Sequence, residues 1–307
     1  ATLLSAAAAL PVATVACVRA RRRAPPPRAR AEAHADDKTR VDSWRPSARF
    51  NELAPTVLAD AEKLQLVCDF DLTLTSGGSA QCHDIVGASH ELPTTLRTSF
   101  EALLDFSTPF EPAFEGECWW VRANSVLVSH GEPRRTLLPR LVERAELTPR
   151  RGALELLAAC AERDVPVLIV SAGYTEVIEH FLRRHGALHP NIRISSNRLV
   201  WDDAGVLVEC SPSPPITSLT KSLTGARNAE WFSAHARRTS LLVLGDRCSD
   251  LQVADGLRDV RLQLSVGILN ESGDADASAA EYGSLFDALL VGNEASLEVV
   301  GRMIRGR

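Results

Sequence analysis

The sequence lacks the features of a membrane protein and of a cysteine-based scaffold, and it contains few lysines. It has no uninterrupted apolar run of the roughly 18 residues that a membrane-spanning helix needs. Its seven cysteines lie far apart without a CxxC pair, which excludes a zinc knuckle and disfavours a disulfide-stapled scaffold. Lysine is rare, with only Lys38, Lys63 and Lys221 in 307 residues. The remaining composition, 45% hydrophobic and 24% charged, is that of an ordinary globular protein.

Charge is distributed unevenly along the chain. Residues 1–30 contain six arginines and no acidic residue, although the whole chain has 34 basic and 39 acidic residues and a net charge of -5. The remainder is therefore more acidic than the total shows, and a strongly acidic domain binds nucleic acid poorly. A small anion can still bind there together with a divalent cation, because the cation inverts the local field.

Residues 1–45 differ in composition from the rest of the chain. An apolar, alanine-rich start is followed by arginines and by Pro25-Pro26-Pro27. A short, basic start without acidic residues indicates a targeting leader. It does not match a secretory signal, which carries its positive charge before the apolar run and not after it. The alternative is a disordered tail of low complexity that carries no targeting information.

Short apolar runs alternate with helical patterns from residue 64 onward. Continuous hydrophobicity is typical of strands covered on both faces, and it occurs at 64–70, 165–171, 192–195, 240–245, 260–264 and 285–291. Helical patterns occur at 152–163, 175–185, 228–236 and 296–304. The alternation predicts an α/β fold, a doubly wound parallel sheet with helices on both faces.

Residues 76–149 interrupt this alternation with a helical, proline-punctuated segment. A stretch of that length is too long to be a structureless loop in a compact domain. We predict a small helical cap here, inserted after the first strand, while residues 46–75 and 150–307 form the core. Because ligands of open parallel sheets bind beyond the carboxyl ends of the strands, the cap is expected to lie over the reacting centre.

Polar residues follow three of the predicted strands. Asp69 and Asp71 come at the end of the first strand, where carboxylates need a cation such as Mg2+ unless they form an ordinary acidic turn. The segment 171–173 (Ser-Ala-Gly) leads into a helix, where a hydroxyl and N–H groups suit an anion, although serine is also a common N-cap. Asp246 and Asp250 follow a later strand, and Lys221 begins a helix upstream of them.

In order and placement, these four groups resemble the motifs of the haloacid dehalogenase-like phosphatases. That family has DxDxT, then a serine or threonine, then a lysine, then a paired acid such as GDxxxD. Here the motifs are Asp69 to Thr73, Ser171, Lys221 and Asp246 to Asp250. The resemblance implies a Rossmannoid core of that superfamily.

The similarity is closer to one branch, the cytosolic pyrimidine 5'-nucleotidases (type III 5'-nucleotidases). It extends from about residue 64 to the C-terminus and includes the insert and the segments 251–256, 266–270 and 294–298. It is densest from Pro166 onward and thinnest between residues 76 and 150. The resemblance implies a Mg2+-dependent 5'-nucleotidase that acts on nucleoside 5'-monophosphates, with pyrimidines expected, through an aspartyl-phosphate. It also implies a cytoplasmic location, or an organelle (plastid or mitochondrion) if residues 1–45 are a transit peptide.

The same resemblance implies a role for each matched residue. Asp69 is expected to be the nucleophile and Asp71 the general acid and base. Mg2+ is expected on the Asp69 carboxylate, the Asp71 backbone carbonyl and Asp246, with Asp250 orienting its water shell and holding Lys221. The phosphate is expected to contact Ser171, Lys221 and the backbone N–H groups of Ala172 and Gly173, while Thr73 supports the first loop or simply caps a turn.

The residues expected to bind the nucleoside lie in the insert. A lid glutamate of the family corresponds to Glu111, and a lid serine corresponds to Asn124 or Ser125, after a segment that is shorter here. Arg247-Cys248 is a second departure, because the family usually has small or neutral residues in this motif. Arg247 is expected either to tune the charge near the metal or to point to solvent.

Two other functions remain open from the sequence. A phosphatase of the same superfamily could act on another small monoester such as phosphoserine, or the chain could be a catalytically silent nucleotide-binding module. The intact motifs favour the enzyme. We expect a monomer that binds a small nucleotide and neither nucleic acid nor membrane.

Overall fold

The computed structural model describes residues 43–104, 119–270 and 275–306. Residues 1–42 of the predicted leader lie outside them. The described strands are β1 (Trp44–Pro46), β2 (Leu64–Cys68), β3 (Val167–Tyr174), β4 (Ile192–Trp201), β5 (Leu207–Ser211), β6 (Ser240–Gly245), β7 (Leu262–Leu269) and β8 (Ala288–Val291). Strand β1 includes Trp44 and Arg45, so the folded core begins before residue 46, the boundary predicted from composition.

The eight strands form one sheet in the order β1-β8-β7-β6-β2-β3-β4-β5. Neighbours from β8 to β4 are parallel, which confirms the α/β prediction for the centre of the sheet. The outer strands β1 and β5 run antiparallel and were not predicted. Strand β1 has only three residues and most of β5 is partly or fully exposed, so neither shows the continuous apolar run of a central strand.

Helices connect and cover the strands. Those of the core are α1 (Ala48–Val57), α6 (Ala153–Glu162), α7 (Thr175–Arg184), α8 (Thr224–Arg227), α9 (Ala229–Ala234), α10 (Ala275–Leu285) and α11 (Glu298–Arg305). Short 3-10 helices lie at Ala102–Leu104, Lys221–Leu223 and Cys248–Ala254. Among the described residues, no helix has the length and apolar character needed to cross a membrane.

Both faces of the sheet are packed. Consecutive residues of β2 point to opposite faces, because side chains alternate along a strand. Leu66 and Cys68 belong to the larger hydrophobic cluster, which also contains Phe50 of α1 and Leu156 of α6. Val67 belongs to a second cluster with residues of α9. Strand β2 is therefore buried on both faces, and polar side chains of the first motif begin only where the strand ends.

Between β2 and β3, the described residues form four further α-helices, α2 (Cys82–Gly87), α3 (Thr94–Glu101), α4 (Trp119–His130) and α5 (Leu138–Arg144). The two ends of this segment run side by side, since Thr75 and Pro149 form an isolated β-bridge and Ser76 donates a hydrogen bond to the Thr148 carbonyl at 2.9 Å. The segment thus leaves and rejoins the core at one point. That it acts as a cap over substrate stays a prediction.

The hairpin of β4 and β5 holds the far end of this segment. Leu207 donates its N–H to the Gly131 carbonyl at 3.2 Å, and Arg135 donates to Gly205 at 3.0 Å. The Trp201 indole N–H also donates to the Pro133 carbonyl at 2.8 Å. The end of the insert near residues 131–135 is therefore fastened to the core sheet through a strand that the sequence did not reveal.

Two glycines with left-handed backbone provide a test of this packing. Gly152 (φ 78°) precedes α6 and Gly186 (φ 64°) follows α7. A methyl group on Gly152 would overlap the Glu298 backbone nitrogen, whereas one on Gly186 would meet no atom within 4 Å. We expect Gly186→Ala to lower the free energy of unfolding by roughly 1 kcal/mol through backbone strain alone. Gly152→Ala should cost about 2 kcal/mol more because α11 must move.

Urea unfolding of the two variants beside the unsubstituted protein measures the difference. Equal losses in both variants would mean that the contact between Gly152 and the start of α11 is not close-packed.

Candidate active site

The exits of three neighbouring strands bring the predicted motifs together. Strands β6, β2 and β3 are adjacent and parallel, so their carboxyl ends open on the same edge of the sheet. Asp69 follows β2 directly and donates its N–H to the Leu244 carbonyl of β6 at 3.0 Å. Asp246 follows β6, and Ser171 lies near the end of β3. Residues far apart in the chain thus meet because the sheet order places their strands side by side.

Three carboxylates form a cluster at this edge. One oxygen each of Asp69, Asp246 and Asp250 lies within 4.8 Å of the other two. Asp250 is held in place because its Oδ2 accepts a hydrogen bond from the Arg247 N–H at 2.9 Å. Carboxylate oxygens converging in this way are the donor set that a hard divalent cation such as Mg2+ prefers, so these residues fit that ion. The Asp71 side chain is not part of the cluster.

Lys221 joins two of these carboxylates. Its side chain is only 2% exposed, and Nζ lies 3.1 Å from Asp69 Oδ2 and in direct contact with Asp250 Oδ1. Burial opposes the charged form of Lys221, but Asp250 and Asp69 outweigh it and raise the pKa of the ammonium. The lysine is therefore a buried cation within the carboxylate cluster and not a solvated helix-start residue.

The segment that carries Lys221 is fastened to β4. Asn197 donates from Nδ2 to the carbonyls of Ala172 and Ile216 at 2.8 and 2.9 Å, and its Oδ1 accepts the Ile216 N–H at 2.8 Å. Asn197 is buried. One amide thus links the end of β3 to the chain that leads into Lys221, a connection that the sequence alone did not indicate.

The two aspartates of the first motif have unequal surroundings. Burial raises the pKa of Asp69, and Lys221 partly opposes this rise. Within the described residues no cation forms an ion pair with Asp71, and burial together with the neighbouring Asp69 raises the pKa of its carboxyl to about 7. Its Oδ1 accepts the Cys82 N–H at 3.1 Å. Asp71 can therefore hold a proton near neutral pH while Asp69 stays paired with an ammonium.

The segment 171–173 differs in detail from the expectation. Strand β3 continues to Tyr174 and helix α7 begins only at Thr175, so these residues lie in a strand and not at a helix start. Ser171 is buried, and its Oγ accepts the Gly173 N–H at 3.0 Å. The Gly173 N–H is therefore already engaged by Ser171, which the sequence could not show. The strand ran longer than predicted because Tyr174 pairs with Asn197 of β4 across an irregular step.

Thr75, and not Thr73, caps the turn after the first motif. The Thr73 hydroxyl is buried and has no hydrogen-bond partner among the described residues. Thr75 Oγ1 instead accepts the Leu72 N–H at 2.8 Å and so closes the turn. Thr73 is thus placed in the first loop without capping it.

The residues predicted to bind the nucleoside are separated by the structure. Glu111 lies outside the described residues. Asn124 faces the end of β3, because its Oδ1 accepts the Tyr174 hydroxyl at 2.8 Å. Ser125 is exposed and donates its hydroxyl to the Val121 carbonyl of its own helix at 2.9 Å. The structure therefore brings Asn124, and not Ser125, toward the strand exits.

Arg247 is half-buried beside the carboxylate cluster. Burial opposes its charged form, but Asp246, Asp69 and Asp250 outweigh this effect and raise the pKa of the guanidinium. This position agrees with the expectation that Arg247 affects the charge of the site, and not with the expectation that it points to solvent.

Two residues near the site were missed from the sequence, Arg150 and Asn270. Arg150 is 1% exposed and donates hydrogen bonds to the carbonyls of Leu72 and Thr73, directly after Asp71. Asn270 Nδ2 also donates to the Leu72 carbonyl, at 2.9 Å. A sequence signal existed, since Arg150 lies where the insert rejoins the core and Asn270 follows β7, but charge alone did not separate Arg150 from Arg151.

Comparison with known proteins assigns the fold and site to a family. The model of the family described as pyrimidine 5'-nucleotidase (UMPH-1) matches residues 77–306. The chain belongs to this family. The resemblance seen in the motifs is thereby confirmed.

The relatives and similar structures agree with this assignment. The 7-methylguanosine phosphate-specific 5'-nucleotidase of Gallus gallus is 30% identical over 257 residues, which cover 79% of this chain and 87% of that protein. Form A of the enzyme with that name from Xenopus laevis is 27% identical over 258 residues, 80% of this chain and 87% of that protein. The crystal structure of cytosolic 5'-nucleotidase IIIB bound to cytidine has a TM-score of 0.73 at 23% identity and covers 86% of this chain and 93% of that one.

These findings establish the fold and the class of reaction. A probable phosphoserine phosphatase of Vibrio cholerae is also similar in fold, with a TM-score of 0.52 at 16% identity over 82% of this chain and 67% of that one. The chain has the haloacid dehalogenase-like α/β fold and is a phosphoric monoester hydrolase of the 5'-nucleotidase type. The alternative of a catalytically silent module is set aside.

The buried position of Lys221 leads to a stability prediction. Lys221→Met leaves the Asp69 and Asp250 carboxylates buried without their cation, so it should lower the free energy of unfolding by about 3–5 kcal/mol. Without the ammonium, the pKa values of both carboxyls in the folded protein rise further above their unfolded values. The folded state then binds more protons, so the loss should be larger near neutral pH than at about pH 5.

Urea unfolding in EDTA at both pH values, with the unsubstituted protein beside the variant, measures this loss. Lys63→Met is the matched control, because Lys63 forms an exposed ion pair with Asp60 at 2.8 Å and should change stability little. A pH-independent loss for Lys221→Met would contradict the assigned charge pairing.

Proposed function

We propose that this chain hydrolyses nucleoside 5'-monophosphates to nucleoside and phosphate in the presence of Mg2+. The observation that carries the proposal is the contact of the buried Lys221 ammonium with Asp69 and Asp250, beside Asp246. Lysine and carboxylates in this arrangement suit a phosphoryl group, whose transfer depends mostly on positioning and electrostatic stabilisation. Membership of a 5'-nucleotidase family supports a nucleotide as the source of that group.

Asp69 is the nucleophile in this proposal. Its Oδ1 accepts the Phe70 N–H at 2.7 Å and its Oδ2 lies 3.1 Å from Lys221 Nζ, so the carboxylate is held on both sides. Attack on phosphorus forms a bond from carboxylate oxygen to phosphorus and breaks the bond from phosphorus to the nucleoside 5'-oxygen. The product is an aspartyl-phosphate.

Asp71 moves the protons in both halves of the reaction. Its position two residues after Asp69 and its environment favour a protonated carboxyl that can give its proton to the departing 5'-oxygen. The resulting carboxylate then takes a proton from a water molecule that attacks the phosphorus of the aspartyl-phosphate. Phosphate leaves, and Asp69 and Asp71 return to their starting states.

The carboxylate cluster would hold the metal ion. Asp69, Asp246 and the backbone carbonyl of Asp71 are the proposed ligands, with Asp250 supporting them while it pairs with Lys221. Bound Mg2+ would neutralise charge on the phosphoryl oxygens. Ser171 and the backbone at Ala172 and Gly173 would line the other side of the phosphate.

The base preference is proposed from the sequence resemblance and from what the similar proteins are named for or bind. The sequence resemblance predicts pyrimidine nucleotides, and the structurally similar nucleotidase IIIB binds cytidine. Relatives from several vertebrates are named for 7-methylguanosine phosphate. We propose that both kinds of nucleoside monophosphate are substrates and that Asn124 lies near the nucleoside. Glu111, which the resemblance predicts to bind the nucleoside, is outside the described residues.

The proposed location is the cytoplasm. The Caenorhabditis elegans relative is named a putative cytosolic 5'-nucleotidase, and the similar crystal structure is of a cytosolic enzyme. A transit peptide within residues 1–45 is the alternative. Imaging of fluorescent fusions with and without residues 1–45 distinguishes the two, because only a transit peptide would move the longer fusion into an organelle.

A substrate survey tests the proposed reaction. We expect phosphate release from CMP, UMP and 7-methylguanosine 5'-monophosphate that EDTA abolishes and added Mg2+ restores, because the cluster needs a cation to accept a phosphate. Steady-state phosphate release at equal enzyme concentration is the measurement. Equal or faster turnover of phosphoserine would overturn the nucleotide assignment and favour a phosphatase that acts on another small monoester.

A substitution of the nucleophile tests the mechanism. Asp69→Asn keeps the size of the side chain but removes the attacking oxygen, so phosphate release should fall by roughly 10^3-fold or more. Asp60→Asn, on an exposed loop residue paired with Lys63, is the matched control and should leave the rate unchanged. Activity retained in the Asp69 variant would exclude the aspartyl-phosphate route.

A further inference from the structure

Arg150 is a buried cation that lies next to the first motif without contacting either of its carboxylates. Its guanidinium donates hydrogen bonds from all three nitrogens, at distances from 2.6 to 3.2 Å, to Thr73 O, Leu72 O, Asn270 Oδ1, Asn293 O and Ala295 O. These acceptors follow three different strands, β2, β7 and β8. We propose that Arg150 is a positioning residue that holds the turn after Asp71 so that its carboxyl meets the leaving 5'-oxygen.

The turn that Arg150 holds has an uncommon backbone conformation. Leu72 has a φ of 60°, in the left-handed region that costs a residue with a side chain roughly 1–2 kcal/mol. Such a conformation persists only where the surroundings determine it. Thr75 Oγ1 accepts the Leu72 N–H, while Arg150 Nη2 and Asn270 Nδ2 both donate to the Leu72 carbonyl at 2.9 Å. The residue directly after Asp71 is therefore held at both its polar backbone groups.

The acceptors of Arg150 in this arrangement are neutral. They are backbone carbonyls and one side-chain amide, so the guanidinium is not used up in an ion pair. Burial lowers the pKa of Arg150 to about 10, which leaves it charged at neutral pH. Its planar fork reaches several acceptors in fixed directions, and a lysine ammonium in the same place could not.

Arg150 also links this turn to the insert. It follows Pro149, which pairs with Thr75, and its own N–H donates to the Leu74 carbonyl at 2.8 Å. The first motif, the return of the insert and the exits of β7 and β8 thus share one side chain. A change in Arg150 would shift Asp71 relative to Asp69, whose own contacts come from Phe70, Leu244 and Lys221.

The inference rests on the proposed role of Asp71 as general acid, and the test uses two substrates that differ in one atom. When the bond from phosphorus to oxygen in CMP breaks, the cytidine 5'-oxygen departs as an alkoxide and needs a proton from Asp71. The analogue with sulfur in place of the bridging 5'-oxygen leaves as a thiolate, which is stable without a proton. A misplaced Asp71 therefore slows release of the nucleoside from CMP and spares its release from the analogue, whereas hydrolysis of the shared aspartyl-phosphate is slowed equally for both. The first half of the reaction is the step that distinguishes the two substrates.

Arg150→Lys is the test variant, because it keeps the positive charge and removes the fork. In single-turnover measurements we expect the rate of cytidine release from CMP to fall roughly tenfold to a hundredfold, with the rate of nucleoside release from the sulfur analogue within about twofold of the unsubstituted enzyme. Arg151→Lys is the matched control. Arg151 is the exposed neighbour, pairs with Glu298 at 3.0 Å, and should leave both substrates unchanged.

Equal losses in the rate of nucleoside release from the two substrates would overturn the proposal and leave Arg150 a purely structural residue. If Arg150→Lys does not fold, Asn270→Ala decides, since it removes the other donor to the Leu72 carbonyl and should show the same split between substrates. Absence of CMP hydrolysis in the unsubstituted enzyme would instead refute the proposed function. CMP hydrolysis by the unsubstituted enzyme therefore shows whether a negative result refutes the role of Arg150 or the proposed function.

Discussion

The buried ammonium of Lys221 is the contact on which the arrangement of the site depends. Asp69, Asp246 and Asp250 converge at one edge of the sheet, and burial of several carboxylates together is unfavourable unless cations accompany them. Lys221 contacts two of the three. The pairing holds Asp69 and Asp250 beside Asp246. The proposed binding of a metal ion and a phosphate rests on this arrangement.

The sheet order explains why these groups meet at all. Strands β6, β2 and β3 lie side by side and parallel, so their carboxyl ends open on one edge. The insert leaves from the same edge and returns beside it through the pairing of Thr75 with Pro149. Arg150 then joins this return to the turn after Asp71. The proposed reacting residues, both ends of the insert and the hydrogen bonds that support them thus lie at the same carboxyl-terminal edge of the sheet.

Much of the fold could be read from the sequence because its central strands are continuous apolar runs. The parallel centre and most of its connecting helices agree with that reading. The outer strands could not be read, since β1 is short and β5 is mostly half-exposed or exposed. The extent of β3 was also underestimated, because the pairing of Tyr174 with Asn197 is a contact with another strand and leaves no mark in the local pattern.

The sequence by itself determined the central strands and the acidic, hydroxyl and lysine residues that follow them, from which a phosphate site was predicted. Only the tertiary structure decided which of two similar residues takes part. Lys221 is buried whereas Lys63 is exposed, Arg150 is buried whereas Arg151 is exposed, and Asn124 rather than Ser125 contacts β3. The reason is that the burial and the hydrogen-bond partners of a residue depend on segments far away in the chain. Arg150, for example, donates a hydrogen bond to Asn270, 120 residues later.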